Sequence, residues 1–136
     1  MDLRERPVRT VIIALFTLLV VLGCHQDSPN VKRQKDIYFS LSDVPRREQE
    51  REITKTMETQ HLPTPGKAMI YLLDQNIAFL PRVDAMVNQA AIQAGVQLPP
   101  KDPLDEAEAR IKVAREVRSM LQAREAIARI EAELNQ

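Results

Sequence analysis

Residues 65–95 read PGKAMIYLLDQNIAFLPRVDAMVNQAAIQAG, and the spacing of their apolar positions decides the fold class. Met69, Leu73, Ile77, Leu80, Val83, Val87, Ala91 and Ala94 recur at three- and four-residue steps. That is the period of one helix face, not of a strand. Thr64 supplies a cap ahead of Pro65 at the first helical position, and Gly95 ends the run. Pro81 lies inside it. Proline has no N–H to give the carbonyl of Ile77, so the element should kink there or divide in two.

Downstream, Gln97-Leu98-Pro99-Pro100-Lys101 cannot continue a helix, whereas Asp102-Pro103-Leu104-Asp105-Glu106 restarts one with a cap, a first-turn proline and early acidic charge. The second element should run from 103 to about 134. Its expected stripe is Leu104, Ala107, Ile111, Ala114, Val117, Met120, Leu121, Ile127, Ile130 and Leu134. Val113, Met120, Ile127 and Leu134 also fall at seven-residue intervals, but Arg124 and Glu131 interrupt that seam, so plain helix-on-helix packing is expected rather than a zipper. Two elements of matched length and a short proline-rich turn predict an all-α domain over 63–136, an antiparallel helical hairpin or small helical bundle with a kinked first helix. A turn near Pro99 sets Met69 against Ile130, Leu80 against residues 118–119, Val87 against Ile111, Asp74 against Arg124 and Asp84 against Arg115. Such a hairpin leaves apolar surface uncovered, which the kinked first element, the 44–61 helix, a second copy or a partner must cover, and a partner or self-association is expected.

Upstream, residues 25–62 hold nine apolar and 14 charged residues, too few apolar groups to offset the cost of ordering the chain. Residues 24–62 therefore read as a charged, flexible tether. Within it Asp43-Val44-Pro45 can start a helix over 44–61, with Asp43 as cap. The IYF cluster at 37–39 reads as a sticky linker. Ile53 and Met57, on one face of that helix, join Val113, Met120, Ile127 and Leu134 as the candidate interaction surface.

At the N-terminus Arg4, Arg6 and Arg9 precede the apolar run VIIALFTLLVVLG (11–23), which ends at Cys24, the chain's one cysteine. The run is shorter than the ~20 residues a helix needs to cross a bilayer, and the layout is that of a signal peptide over 1–23. Val20-Val21-Leu22-Gly23 before Cys24 resembles the lipobox of bacterial lipoproteins. The resemblance covers residues 1–24. It implies that Cys24 is acylated, becomes the new N-terminus and forms no disulfide. His25 stands where such lipoproteins carry their sorting residue, and the absence of Asp there implies the outer membrane of a two-membrane cell, with the protein facing the periplasm. The alternative is an uncleaved anchor in the inner membrane.

Nineteen Lys+Arg balance 19 Asp+Glu, which gives no general pull toward nucleic acid. Glycines at 23, 66 and 95 build no phosphate-cradling loop. His25 and His61 have no further ligand at metal-binding spacing, and Ser40, Ser42 and Ser119 lack the context of a nucleophile. Asp74 and Asp84 read as surface carboxylates. An enzymatic role, a cofactor, a metal, a small-molecule substrate and a nucleic-acid partner are accordingly not expected. The expected function is that of an outer-membrane-anchored helical lipoprotein serving an envelope machine, a secretion or conjugation apparatus, in the manner of a pilotin. The resemblance to pilotins is one of size and make-up. The alternative is a structural or exclusion lipoprotein that acts by self-association at the membrane.

Overall fold

The computed structural model describes residues 27–134; Cys24 and the signal peptide lie outside them. The described residues are all-helical: α1 (Pro29–Phe39), α2 (Arg46–Thr59), α3 (Pro65–Phe79), a 3-10 turn (Leu80–Arg82), α4 (Val83–Ala94) and α5 (Pro103–Leu134).

Each boundary has a local cause. The Ser28 hydroxyl accepts from the Val31 N–H, the Thr64 hydroxyl from the Lys67 N–H and the Asp102 carboxylate from the Leu104 N–H, with proline following each cap. The α2 cap departs from the Asp43 expectation. Pro45 holds the cap position with no side-chain hydrogen bond, and Gln49 Nε2 donates to the Val44 carbonyl at 2.6 Å. At the other end of α2, His61 takes a left-handed φ of 53°, so that the Leu62 N–H closes onto the Met57 carbonyl at 2.9 Å. Glycine fills the same role after α4, where Gly95 has φ 68° and the Val96 N–H bonds the Ala91 carbonyl. Pro81 lies in the 3-10 turn that separates α3 from α4.

The core lies at one end of the molecule. Tyr38 and Phe39 from α1, Ile53 from α2, Ala68, Met69 and Leu73 from α3, and Ala123 and Ile127 from α5 form one buried cluster. The helices of residues 29–59 thus share this core, where the sequence alone reads that stretch as flexible. The local count of apolar residues was low because this segment shares a core with helices far along the chain. Ile37, Tyr38 and Phe39, expected as a sticky linker, lie in or against that core, and Arg46 stacks over the Phe39 ring at 5.3 Å.

A polar knot crosses the same region. Glu131 is 5% exposed and Gln34 is fully buried. Gln34 Nε2 donates to Glu131 Oε2 at 3.0 Å and to the Ile127 carbonyl at 3.1 Å. The Thr64 hydroxyl, which caps α3, donates to Glu131 Oε1 at 2.5 Å. The carboxyl group thereby sits at the positive end of α3 and joins α1, α3 and α5. Gly66 makes room for it, since a Cβ at that position would meet Glu131 Oε2 at 2.1 Å and Gln34 Nε2 at 2.6 Å.

Along α3 and α5, residue numbers rise on one element as they fall on the other. Thr64 meets Glu131, and Arg124 donates from Nε and Nη2 to both oxygens of Asp74, the pair that the sequence register suggested. Asp84 does not reach Arg115; Lys101 Nζ takes it at 3.4 Å. Val87 and Ile111 both stay at least half exposed, against the contact expected of them. No residue of α4 is buried, and α4 is held mainly through the 3-10 turn that carries it. The buried residues of α5 all lie between Ala123 and Glu131.

Replacing Gly66 by alanine should lower stability by about 1–3 kcal/mol, because two buried, hydrogen-bonded side chains must give way. Urea unfolding of Gly66→Ala beside wild type measures this, and an unchanged midpoint would contradict the tight knot.

Candidate docking surface

The six residues expected to form an interaction surface serve mostly the chain's own interior. Ile53 and Ile127 are buried, and Met57 and Met120 pack against the core. Val113 is half-buried and Leu134 exposed. Seven-residue spacing picked out an intramolecular seam, so Ile53 and Ile127 are not open to a partner. Cys24 lies outside the described residues.

Chemistry-bearing side chains are dispersed. Among the described residues no three His, Cys, Asp or Glu side chains gather as a metal site requires. Asp74 and Asp84 each face a different cation. The guanidinium of Arg124 is held above its ordinary pKa, first by its hydrogen bond to Asp74 and then by that carboxylate's charge. Both side chains stand well into solvent, so the pair is worth only ~0–1 kcal/mol. His61 stops a helix.

The apolar surface is where the structure is unusual. Phe79, Met86, Val87, Ile92, Val96, Leu98, Leu104 and Ile111 are between 43 and 78% exposed. All belong to the end of α3, α4, the proline-rich turn and the first third of α5. Single exposed apolar side chains are ordinary on a surface, but here most of them fall within one stretch of the chain. Between α4 and α5 lies a hollow of about 500 Å³ lined by Leu80, Pro81, Val83, Ala109, Val113, Ala114 and Val117, with Asp84 and Arg110 at its edge. The cause is sequential: α4 follows Pro81 and ends before a segment with two further prolines, so it does not close down on α5. The hydrophobic period gave α4 its helix, but no feature of the sequence distinguished a covered face from an open one.

A second open hollow, of about 650 Å³, lies beside the core between the α1–α2 connection, α3 and α5. Tyr38, Leu41, Leu73, Phe79 and Met120 make its floor, with Glu52, Asn76, Arg115 and Glu116 among the polar groups. Burial pushes the Tyr38 hydroxyl up to about 12, and the negative charge of Glu52 adds to the effect.

No described helix is long and apolar enough to cross a membrane. The chain matches no protein-family model, no curated protein and no solved structure.

The raised Tyr38 pKa fixes a pH dependence. Below pH 10 the phenol is neutral in both folded and unfolded chains, so stability does not depend on it. Above that, the unfolded chain loses the proton first, and stability should fall by about 2–3 kcal/mol as pH rises to about 12. Urea midpoints between pH 9 and 12 for wild type and Tyr38→Phe test this: the variant should lack that part of the decline, and an identical decline in both would contradict it.

Proposed function

We propose that this chain is a lipid-anchored helical adaptor of the bacterial envelope, held at the outer membrane by Cys24 and docking through its α4–α5 arm on a protein of a secretion or conjugation apparatus. The observation that carries the docking is the arm itself. α4 and residues 103–122 hold no buried residue, yet they carry most of the large exposed apolar side chains and diverge around an apolar hollow. In this reading α3–α4 and α5 form an antiparallel hairpin whose first limb is broken at Pro81. Its base is fastened by the Glu131 knot and the Asp74–Arg124 pair, and its tip is left open for an apolar helix of the partner. The hollow offers shape and apolar contact rather than catalytic groups, which suits assembly and not turnover.

The anchor comes from the sequence pattern that ends at Cys24. Its consequence for placement is geometric. α1 starts at Pro29, and the five residues from Cys24 span at most about 18 Å. The folded head would then stand close to the bilayer instead of at the end of a long leash. A triacylated cysteine exceeds the two-chain requirement for stable attachment. Self-association at the membrane, the structural alternative, would draw on Leu104, Ile111 and Leu121 along the outer side of α5 and leave Met86, Val87 and Ile92 of α4 to the docking.

Affinity purification of the full chain from detergent-solubilised envelopes tests the reading with three proteins. Wild type should incorporate labelled fatty acid and bring down one envelope protein in fixed stoichiometry. Cys24→Ser should lose the label. Ile92→Asp should keep the label and the melting temperature, because Ile92 is 78% exposed, and should lose the co-purified protein. Equal labelling of wild type and Cys24→Ser would overturn the anchor, and an unaffected Ile92→Asp complex would overturn docking through the arm.

A further inference from the structure

α5 carries two apolar seams. Val113, Val117 and Met120 are half-buried, and Ala123 and Ile127 are buried, on the side that faces α3 and the hollow beside α4. Leu104, Ala107 and Ile111 lie on the other side of the helix, and Ala114, at the rim of that hollow, and Leu121 continue their row along its flank; all five are exposed. At roughly 100° per residue, Leu104 and Met120 point about 160° apart. The outer five follow the a and d positions of a heptad, with Arg118 at the a position after Ile111 and Glu125 at the next. A second seam on a helix already packed through its first is built to receive another helix.

Charge identifies which helix. Arg110, Arg124 and Arg129 each have an acidic partner within the chain. Glu108, Arg115 and Arg118, which border or interrupt the outer seam, make no ion pair among the described residues. A parallel pairing of two copies would stack Arg118 on Arg118 and Glu125 on Glu125, like charges brought together in a partly desolvated seam. An antiparallel pairing avoids both clashes.

We propose that the outer seam of α5 is closed by α5 of a second copy, antiparallel to the first about a two-fold axis between Lys112 and Val113. This rests on the self-association reading and not on the docking of the arm. In this register Leu104 lies opposite the partner subunit's Leu121 and Ile111 opposite the partner subunit's Ala114. Arg118, the long polar side chain in the overlap, lies opposite the small side chain of the partner subunit's Ala107. Glu108 comes within reach of the partner subunit's Arg115 and the partner subunit's Arg118, and the two-fold repeats the arrangement. Every large seam residue meets an apolar partner, and the three unpaired charges pair. The overlap from Leu104 to Leu121 is about 27 Å long, at the low end of specific interfaces, so the dimer is weak and reversible.

The test uses full-length chains with Cys24 retained, two differently tagged copies being co-expressed and oxidised in isolated envelopes. One copy carries Leu104→Cys and the other Leu121→Cys; wild type sets the background from Cys24. The mixed pair should form a disulfide-linked dimer. Either variant alone should stay at background, because like positions lie about 25 Å apart in this register. Glu108→Arg in both copies should lower the mixed dimer about tenfold, and adding Arg115→Glu with Arg118→Glu should restore it. A Leu104→Cys homodimer would overturn the antiparallel register. Cross-linking of the seam only to a different protein, or no dimer above background, would overturn self-pairing. Docking through the arm is read separately, by the envelope protein that Ile92→Asp releases.

Discussion

A carboxyl group taken out of water must find donors, and in this molecule Glu131 finds them on two other helices. Gln34 of α1 serves one oxygen and Thr64, at the start of α3, serves the other. Removing either donor leaves a buried acceptor unmet, a loss larger than the net worth of the bond itself. The knot therefore fixes position as well as adding stability. It sets α1 across the base of α3 and α5, and that placement carries Tyr38 and Phe39 into the core. Gly66 is the steric condition for it. Gln34 Oε1 is left without a hydrogen bond, and turning the amide over would set that oxygen against the carboxyl group. The orientation of Gln34 thus follows from Glu131.

Concentrating the core at the base has a consequence at the tip. The chain has few large apolar residues to spend, and those at the base are closed around Met69, Leu73 and Ile127, each at most 2% exposed. Beyond Leu80 nothing comparable remains on α1 or α2 to lay over α4. In the arm, α4 ends on the Gly95 cap, α5 starts on the Asp102 cap and Pro103, and Asp84 meets Lys101, while no residue of α4 is buried. An element of this kind exposes apolar side chains at a fixed spacing on a preformed backbone, which reduces the ordering cost of binding. The base holds the buried residues, and the arm holds none.

Much of this was legible in the sequence, and the rest was hidden for identifiable reasons. The helical period of residues 65–94, the Thr64 and Asp102 caps and the break at Pro81 are local signals, and local signals survive folding. The Asp74–Arg124 pair followed from matching the lengths of two elements. The role of residues 29–39 did not show, because Tyr38 and Phe39 gain their partners from Ala123 and Ile127, far along the chain, and counting apolar residues within a segment cannot register a shared core. Reading α5 as one stripe merged two faces: Leu104 and Ile111 were grouped with Met120 and Ile127 although they lie on the other side of the helix. Glu131 looked like an interruption of a seam. It is the residue that three helices converge on.

The central claim is that Gln34 and Glu131 act as one unit holding α1 to the α3–α5 base, and a double-mutant cycle measures it directly. Stabilities of wild type, Gln34→Ala, Glu131→Ala and the double variant give a coupling free energy from four urea titrations. The account requires the two losses to fall short of additivity by about 1–3 kcal/mol, since the second deletion removes a group already orphaned by the first. Losses that add within about 0.5 kcal/mol would mean that the two side chains act independently and that the knot does not set the fold.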